Sequence, residues 1–154
     1  MQVDVKNEVA LKDLALTLAA DFKPGDFICL RGTLGAGKTS LVRALIRALS
    51  GDDTLEVPSP TYTLVQQYDT PQALIWHFDL YRLEDPQEIW ELGWEDASFD
   101  GLCFVEWPER AGDYLPEDRL EIVISIPQGA PDSRALEFKP YGVWTKRSLS
   151  LTHA

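Results

Sequence analysis

The sequence predicts an α/β domain: a largely parallel central sheet with helices on both faces, and an antiparallel strand pair towards the C-terminal end. Three observations predict it. Phe27-Ile28-Cys29-Leu30 is a short, continuous apolar run, as a strand covered on both faces should be. That run leads through glycines at 32, 35 and 37 into a helical pattern from Lys38 to Ser50. Further short apolar runs separated by turn signals then follow, with no internal repeat and no low-complexity linker, so the 154 residues read as one domain, 1–154.

Taken in order, Asn7 caps a helix of roughly residues 8 to 20, with Leu11, Leu14, Ala15 and Leu18 on one face. Lys23-Pro24-Gly25-Asp26 makes a turn before the 27–30 strand, which ends at Gly32. In the next helix Leu41, Leu45 and Leu49, with Val42, Ile46 and Ala48, form the packing side. Arg43 and Arg47 take the wet side, and Gly51 supplies a C-terminal cap. Two prolines make Val57 to Thr63 an extended surface loop, leading to a strand near Leu64 to Tyr68. A strand from Leu74 to Tyr81 follows the turn around Pro71, then a short helix from Pro86 to Leu92 and an apolar strand from Leu102 to Trp107. Leu120 to Ile126 and Ala135 to Phe138 alternate as an antiparallel pair around Gly129-Ala130-Pro131, and the tail beyond Tyr141 carries no decisive pattern.

Composition narrows the function. There are 14 Lys+Arg against 25 Asp+Glu, a formal net charge of −11, and the basic residues are scattered, so direct tight binding to RNA or DNA is not expected and any nucleic-acid role should run through a partner. No run approaches the ~20 apolar residues of a membrane span, which points to a cytoplasmic protein. Cys29 and Cys103 lie in apolar runs and read as buried, reduced thiols. The only histidines are His77 and His153, so there is no histidine or cysteine metal spacing.

Gly32-Thr33-Leu34-Gly35-Ala36-Gly37-Lys38-Thr39 fits G-x-x-x-x-G-K-[ST], between a predicted strand and a predicted helix, as phosphate binding requires. The glycines let successive backbone N–H groups point at phosphate oxygens, and the helix presents its positive end to the same anion. The cradle is expected at Gly32, Leu34, Gly35, Ala36, Gly37, Lys38, Thr39 and Ser40. Lys38 would add the loop's only full positive charge, and the Thr39 hydroxyl can ligate the Mg2+ that accompanies a nucleotide. Glu106, at the end of an apolar strand, is the candidate second ligand, and Trp107 beside it is either core or a lid.

A second constellation is Trp76-His77-Phe78-Asp79-Leu80-Tyr81-Arg82, where strand alternation puts Trp76, Phe78 and Leu80 on one side and His77, Asp79 and Tyr81 on the other. Asp79 can orient an attacking or metal-bound water, His77 can hydrogen-bond it, and Arg82 can reach a phosphate; an amphipathic edge strand would show the same alternation. Ser59-Pro60-Thr61-Tyr62-Thr63 adds hydroxyls able to sense a γ-phosphate, or is an ordinary proline turn. Guanine specificity lacks support, because the single asparagine is Asn7 and no Asp is followed three residues later by Gly. A small-molecule kinase fits the length, but Arg82, Arg110, Arg119 and Arg134 stand isolated where an arginine-bearing lid would be expected.

Together these blocks resemble the bacterial TsaE (YjeE) family of ATPases. The resemblance rests on L-G-A-G-K-T at Leu34 to Thr39, S-P-T-Y-T-L-V at Ser59 to Val65, H-F-D-L-Y-R-L at His77 to Leu83, E-L-G at Glu91 to Gly93 and V-E-W-P-E at Val105 to Glu109. They follow family order over about residues 27 to 116. The resemblance implies a small P-loop fold that hydrolyses ATP with Mg2+ in the making of threonylcarbamoyladenosine in tRNA, alongside the partners TsaD and TsaB. It implies Lys38 and the loop backbone on phosphates, Thr39 and Glu106 around Mg2+, Asp79 as catalytic carboxylate and Thr61 as switch threonine, with adenine near Val9 and Ala10. Thr33 departs from the acidic residue common in relatives, at a position expected to act through its backbone, and the C-terminal third matches weakly.

Overall fold

A computed structural model describes residues 1–151; residues 152–154, with His153, lie outside the described residues. Strands β1 (Gln2–Val5), β2 (Phe27–Arg31), β3 (Val65–Asp69), β4 (Leu74–Asp79), β5 (Leu102–Glu106), β6 (Arg119–Ser125) and β7 (Arg134–Tyr141) form one sheet in the order β1-β7-β6-β2-β5-β4-β3. The four central strands β6, β2, β5 and β4 are mutually parallel. The outer pairings β1–β7, β7–β6 and β4–β3 are antiparallel. Helices α1 (Glu8–Ala19), α2 (Lys38–Ser50) and α3 (Trp94–Asp100) complete the fold with three 3₁₀ segments, Pro86–Leu92, Pro108–Tyr114 and Gly142–Lys146.

The continuous apolar runs of the centre are explained by two cores, one on each side of the sheet. Ile28, Leu30, Leu102, Phe104 and Ile75 turn into a core with Leu14 and Leu18 of α1 and Leu41, Leu45 and Ile46 of α2. Phe27, Cys29, Cys103, Val105, Trp76 and Phe78 face the other way, onto Ile89, Trp94 and Ala97. Every second residue therefore serves a different core, and a strand buried twice loses the polar alternation of a surface strand. The second core draws nothing from β6, β7 or β1. There the second face carries the buried Glu121, bonded to Arg31 at 2.5 Å and to Arg119 at 2.7 Å. Burial works against the Glu121 carboxylate, but the hydrogen bonds and charges of Arg31 and Arg119 outweigh it and hold the carboxyl below its ordinary pKa. Burial pushes the Cys29 and Cys103 thiols far up, at Cys29 with the added repulsion of the Glu121 carboxylate, so both stay protonated.

The predicted caps are in place: the Asn7 Oδ1 accepts from the Ala10 N–H at 2.9 Å, and Gly51 closes α2 in the left-handed conformation, φ 72°. Other features go beyond the sequence expectations or differ from them. The opening residues form edge strand β1, which borrows its hydrogen bonds from β7 rather than from local pattern. Strand β4 stops at Asp79, not Tyr81, because the Leu80 N–H turns to the Glu106 carbonyl at 3.1 Å and the Asp79 carboxylate accepts from the Tyr81 N–H at 3.1 Å. Pro86–Leu92 is a 3₁₀ segment started by an Asp85–Glu88 capping box, and the unanticipated α3 follows it, anchored by the buried Trp94 and Ala97. The tail folds back: Trp144 is buried edge-on against Phe22, and Arg147 binds Asp26 at 2.6 Å.

Candidate functional site

The glycine loop joins the C-terminal end of β2 to the first turn of α2, at the sheet edge where parallel strands deliver their ends. Gly32 is required sterically, since a Cβ there would lie 2.6 Å from the Ile124 carbonyl oxygen. Gly35 and Gly37 hold φ of 83° and 106°, in the left-handed region that glycine enters without penalty. Gly37 is the N-cap of the 13-residue α2 and offers no side-chain cap, so the first-turn N–H groups and the positive end of the helix are left to an external acceptor. The chemistry of this cradle fits a phosphate.

The Lys38 ammonium is tucked inside the loop, donating to the carbonyls of Gly32 at 2.6 Å and Thr33 at 2.9 Å. It lies 4.0 Å from the centre of the Trp107 ring. Burial lowers its pKa, against the pull of Glu106, Glu109 and Asp79. Trp107 takes a left-handed backbone, φ 57°, uncommon for a bulky residue, and its ring also packs on Tyr81 at 4.9 Å. Trp107 is thus both: partly buried, it packs against the second core and covers Lys38. Thr33 acts here through its carbonyl, as its departure from the family pattern allows.

Parallel pairing of β4 with β5 sets Asp79 opposite Glu106. The Thr39 hydroxyl donates to Glu106 Oε1 at 2.7 Å, while Glu106 Oε2 meets His77 Nε2 at 2.6 Å. The Ser59 hydroxyl donates to Asp79 Oδ2 at 3.1 Å, and the Thr61 hydroxyl to Ser59 at 3.2 Å. Leu34, Gly35, Gly37, Lys38, Thr39, Ser40, Thr61, Asp79 and Glu106 all line one open cavity of about 370 Å3, together with Ser59, Tyr81, Arg82 and Trp107. Ala36 is buried and Gly32 lies beneath the loop, so these two shape the cradle without facing the cavity. Hydroxyl and carboxylate oxygens of Thr39 and Glu106 suit Mg2+, a hard cation held by one or two protein oxygens plus phosphate. Among the described residues no cluster of three or more His, Cys, Asp or Glu forms a metal cage.

His77 departs from its expected place. It is fully buried behind Glu106 and does not line the cavity, so it positions the carboxylate rather than a water. With the proton on Nε2 the ring donates to Glu106, and Nδ1 has no hydrogen-bond partner. Arg82 reaches the cavity rim and stacks on Tyr62 at 4.8 Å. Val9 lines a second groove of about 320 Å3 between α1 and α2, and that groove shares Ser40 with the first. The sequence reading missed Ser59 as the link between Thr61 and Asp79. It also missed Arg134, whose Nε donates to the Ala36 carbonyl at 2.8 Å.

The pattern of the family described as "Threonylcarbamoyl adenosine biosynthesis protein TsaE" matches residues 5–135 of the chain. A protein of Rickettsia felis called "tRNA threonylcarbamoyladenosine biosynthesis protein TsaE" is 41% identical over 122 residues, 79% of this chain and 71% of the relative. The protein of the same name from Bacillus subtilis is 36% identical over 137 residues, covering 88% and 83%. Among solved structures, that of Bacillus subtilis YdiB superposes with a TM-score of 0.74 at 28% identity, covering 95% of this chain and 89% of that one.

Proposed function

The chain belongs to the TsaE family, and from that premise and the site's geometry we propose that it is the ATP-hydrolysing subunit of the bacterial complex that makes threonylcarbamoyladenosine in tRNA, acting through the partners TsaD and TsaB. The carrying observation is that Lys38, Thr39, Asp79 and Glu106, from two separate stretches of chain and a loop, line one cavity at the uncapped start of α2. The loop N–H groups and α2 bind the phosphates, and Lys38 leaves the Gly32 and Thr33 carbonyls to join them. Thr39 and Glu106 would hold Mg2+, which when bound neutralises phosphate charge. Asp79 orients the attacking water and accepts its hydrogen bond, and Ser59 and Thr61, linked to that carboxylate by hydrogen bonds, face the γ-phosphate. The adenine is directed past Ser40 towards the groove of Val9.

The charge distribution supports work through protein partners. From residue 83 to 109 there is no Lys or Arg, while seven acids lie between Glu84 and Asp100. Such a surface repels an RNA backbone. Among the described residues no helix is long and apolar enough to cross a membrane. The test measures phosphate release by the protein alone, with tRNA, and with TsaD and TsaB. Slow release alone and stimulation by the partner pair are expected. Full activity alone, or stimulation by tRNA without partners, would refute the division of labour, and a phosphorylated acceptor in place of free phosphate would make it a small-molecule kinase.

A further inference from the structure

Both shoulders of the glycine loop rest on the β6–β7 hairpin, a part of the chain outside every motif recognised in the sequence. One shoulder is Gly32, pressed on the Ile124 carbonyl of β6. The other is Ala36, whose carbonyl accepts from Arg134 Nε at 2.8 Å. Arg134 Nη1 donates at 2.8 Å to each of the carbonyls of Pro131 and Ser133 in the hairpin. The guanidinium thus gives three hydrogen bonds to main-chain oxygens, one of them 98 residues away.

Arg134 does not line the 370 Å3 cavity that Gly37 lines; it lies against Gly37 on the side of its absent side chain, where a Cβ would come within 3.2 Å of Nε. The peptide joining Ala36 to Gly37 is planar and trans, so its C=O and N–H point in opposite directions. Holding the Ala36 carbonyl towards the hairpin therefore turns the Gly37 N–H away from the hairpin. With glycine at 35 and 37 the loop has little conformational resistance of its own to a flip of that peptide, which would aim a carbonyl at the phosphates instead. We propose that Arg134 is a positioning residue that fixes the Ala36–Gly37 peptide so that the Gly37 N–H is presented to the bound nucleotide's phosphates.

This rests on the nucleotide reading of the cavity, and the test separates the two. ADP·Mg2+ and ATP·Mg2+ are titrated calorimetrically into wild type, R134A, R134K and R134Q, and the Gly37 amide is followed by NMR. The loss of a charged hydrogen bond predicts binding about 10- to 100-fold weaker in R134A, for ADP and ATP alike, because the strap acts on the loop and not on the γ-phosphate. R134K, which can reach Ala36 with a single donor, should recover part of the affinity. The downfield shift of the Gly37 amide on ADP binding should shrink in R134A and return in part in R134K. If R134A fails to fold, R134Q against R134K carries the comparison, with R134Q the weaker. Wild-type affinity in the variants, or weakened binding with the Gly37 shift intact, would overturn the proposal. Failure of the wild-type protein to bind either nucleotide would instead overturn the reading of the cavity.

Discussion

Lys38→Ala offers the most direct test of the glycine loop. In the free protein the ammonium already has two carbonyl acceptors, on Gly32 and Thr33, and an aromatic ring 4.0 Å away. Its worth to nucleotide binding is therefore a difference. Two ammonium–carbonyl hydrogen bonds, already charge-assisted, are exchanged for contacts in which the phosphate oxygens are charged as well. With charged hydrogen bonds contributing about 1.5–3 kcal/mol, the exchange is worth about 2–3 kcal/mol, or a loss of affinity of about 30- to 150-fold. Binding should weaken and not vanish, because the loop N–H groups, the helix end and the Arg134 strap are left intact. Isothermal titration with ATP·Mg2+ measures it, with circular dichroism confirming that the variant folds. Lys38→Arg should not rescue, since a guanidinium is too broad for the space between those carbonyls and Trp107. Affinity within twofold of wild type would show that this loop is not the nucleotide site.

Asp79→Asn and Glu106→Gln should fold and lose about 10²-fold or more in turnover; phosphate release with TsaD and TsaB measures this, and wild-type rates would remove both residues from the chemistry. Gly32→Ala sets a methyl 2.6 Å from the Ile124 carbonyl and should destabilise the protein by about 1–3 kcal/mol, read by calorimetry as a lower Tm; an unchanged Tm would contradict the close approach. Glu121→Gln removes the buried carboxylate between Arg31 and Arg119, leaving Arg31 only the 3.9 Å contact with Glu109, and should destabilise by about 2–3 kcal/mol near neutral pH. Because the Glu121 carboxyl is held below its ordinary value of 4.5, its stabilisation is complete above that pH and is lost as pH falls through the folded pKa, so the Tm gap between wild type and variant should close on acidification. A gap independent of pH between 6 and 3 would refute that assignment.

The amino-acid sequence by itself determined whatever is local. The glycine loop between strand and helix, the Asn7 and Gly51 caps and the alternation along Trp76 to Leu80 are each specified within a few residues, because backbone freedom, capping groups and side-chain period act over that range. The tertiary structure alone decided which of these pieces meet. Asp79 and Glu106 are neighbours only because β4 pairs with β5 in one register, and a slip of one residue would turn either carboxylate to the wrong face. The same register buries His77 behind Glu106, where alternation alone had it facing the chemistry. Strand β1 exists through its ladder to β7, and Arg134 reaches the loop because β7 runs beside β6, itself beside β2. Such contacts join residues tens of positions apart, and their free energy comes from packing and pairing between elements, which leaves no periodic trace in either partner's own stretch of sequence.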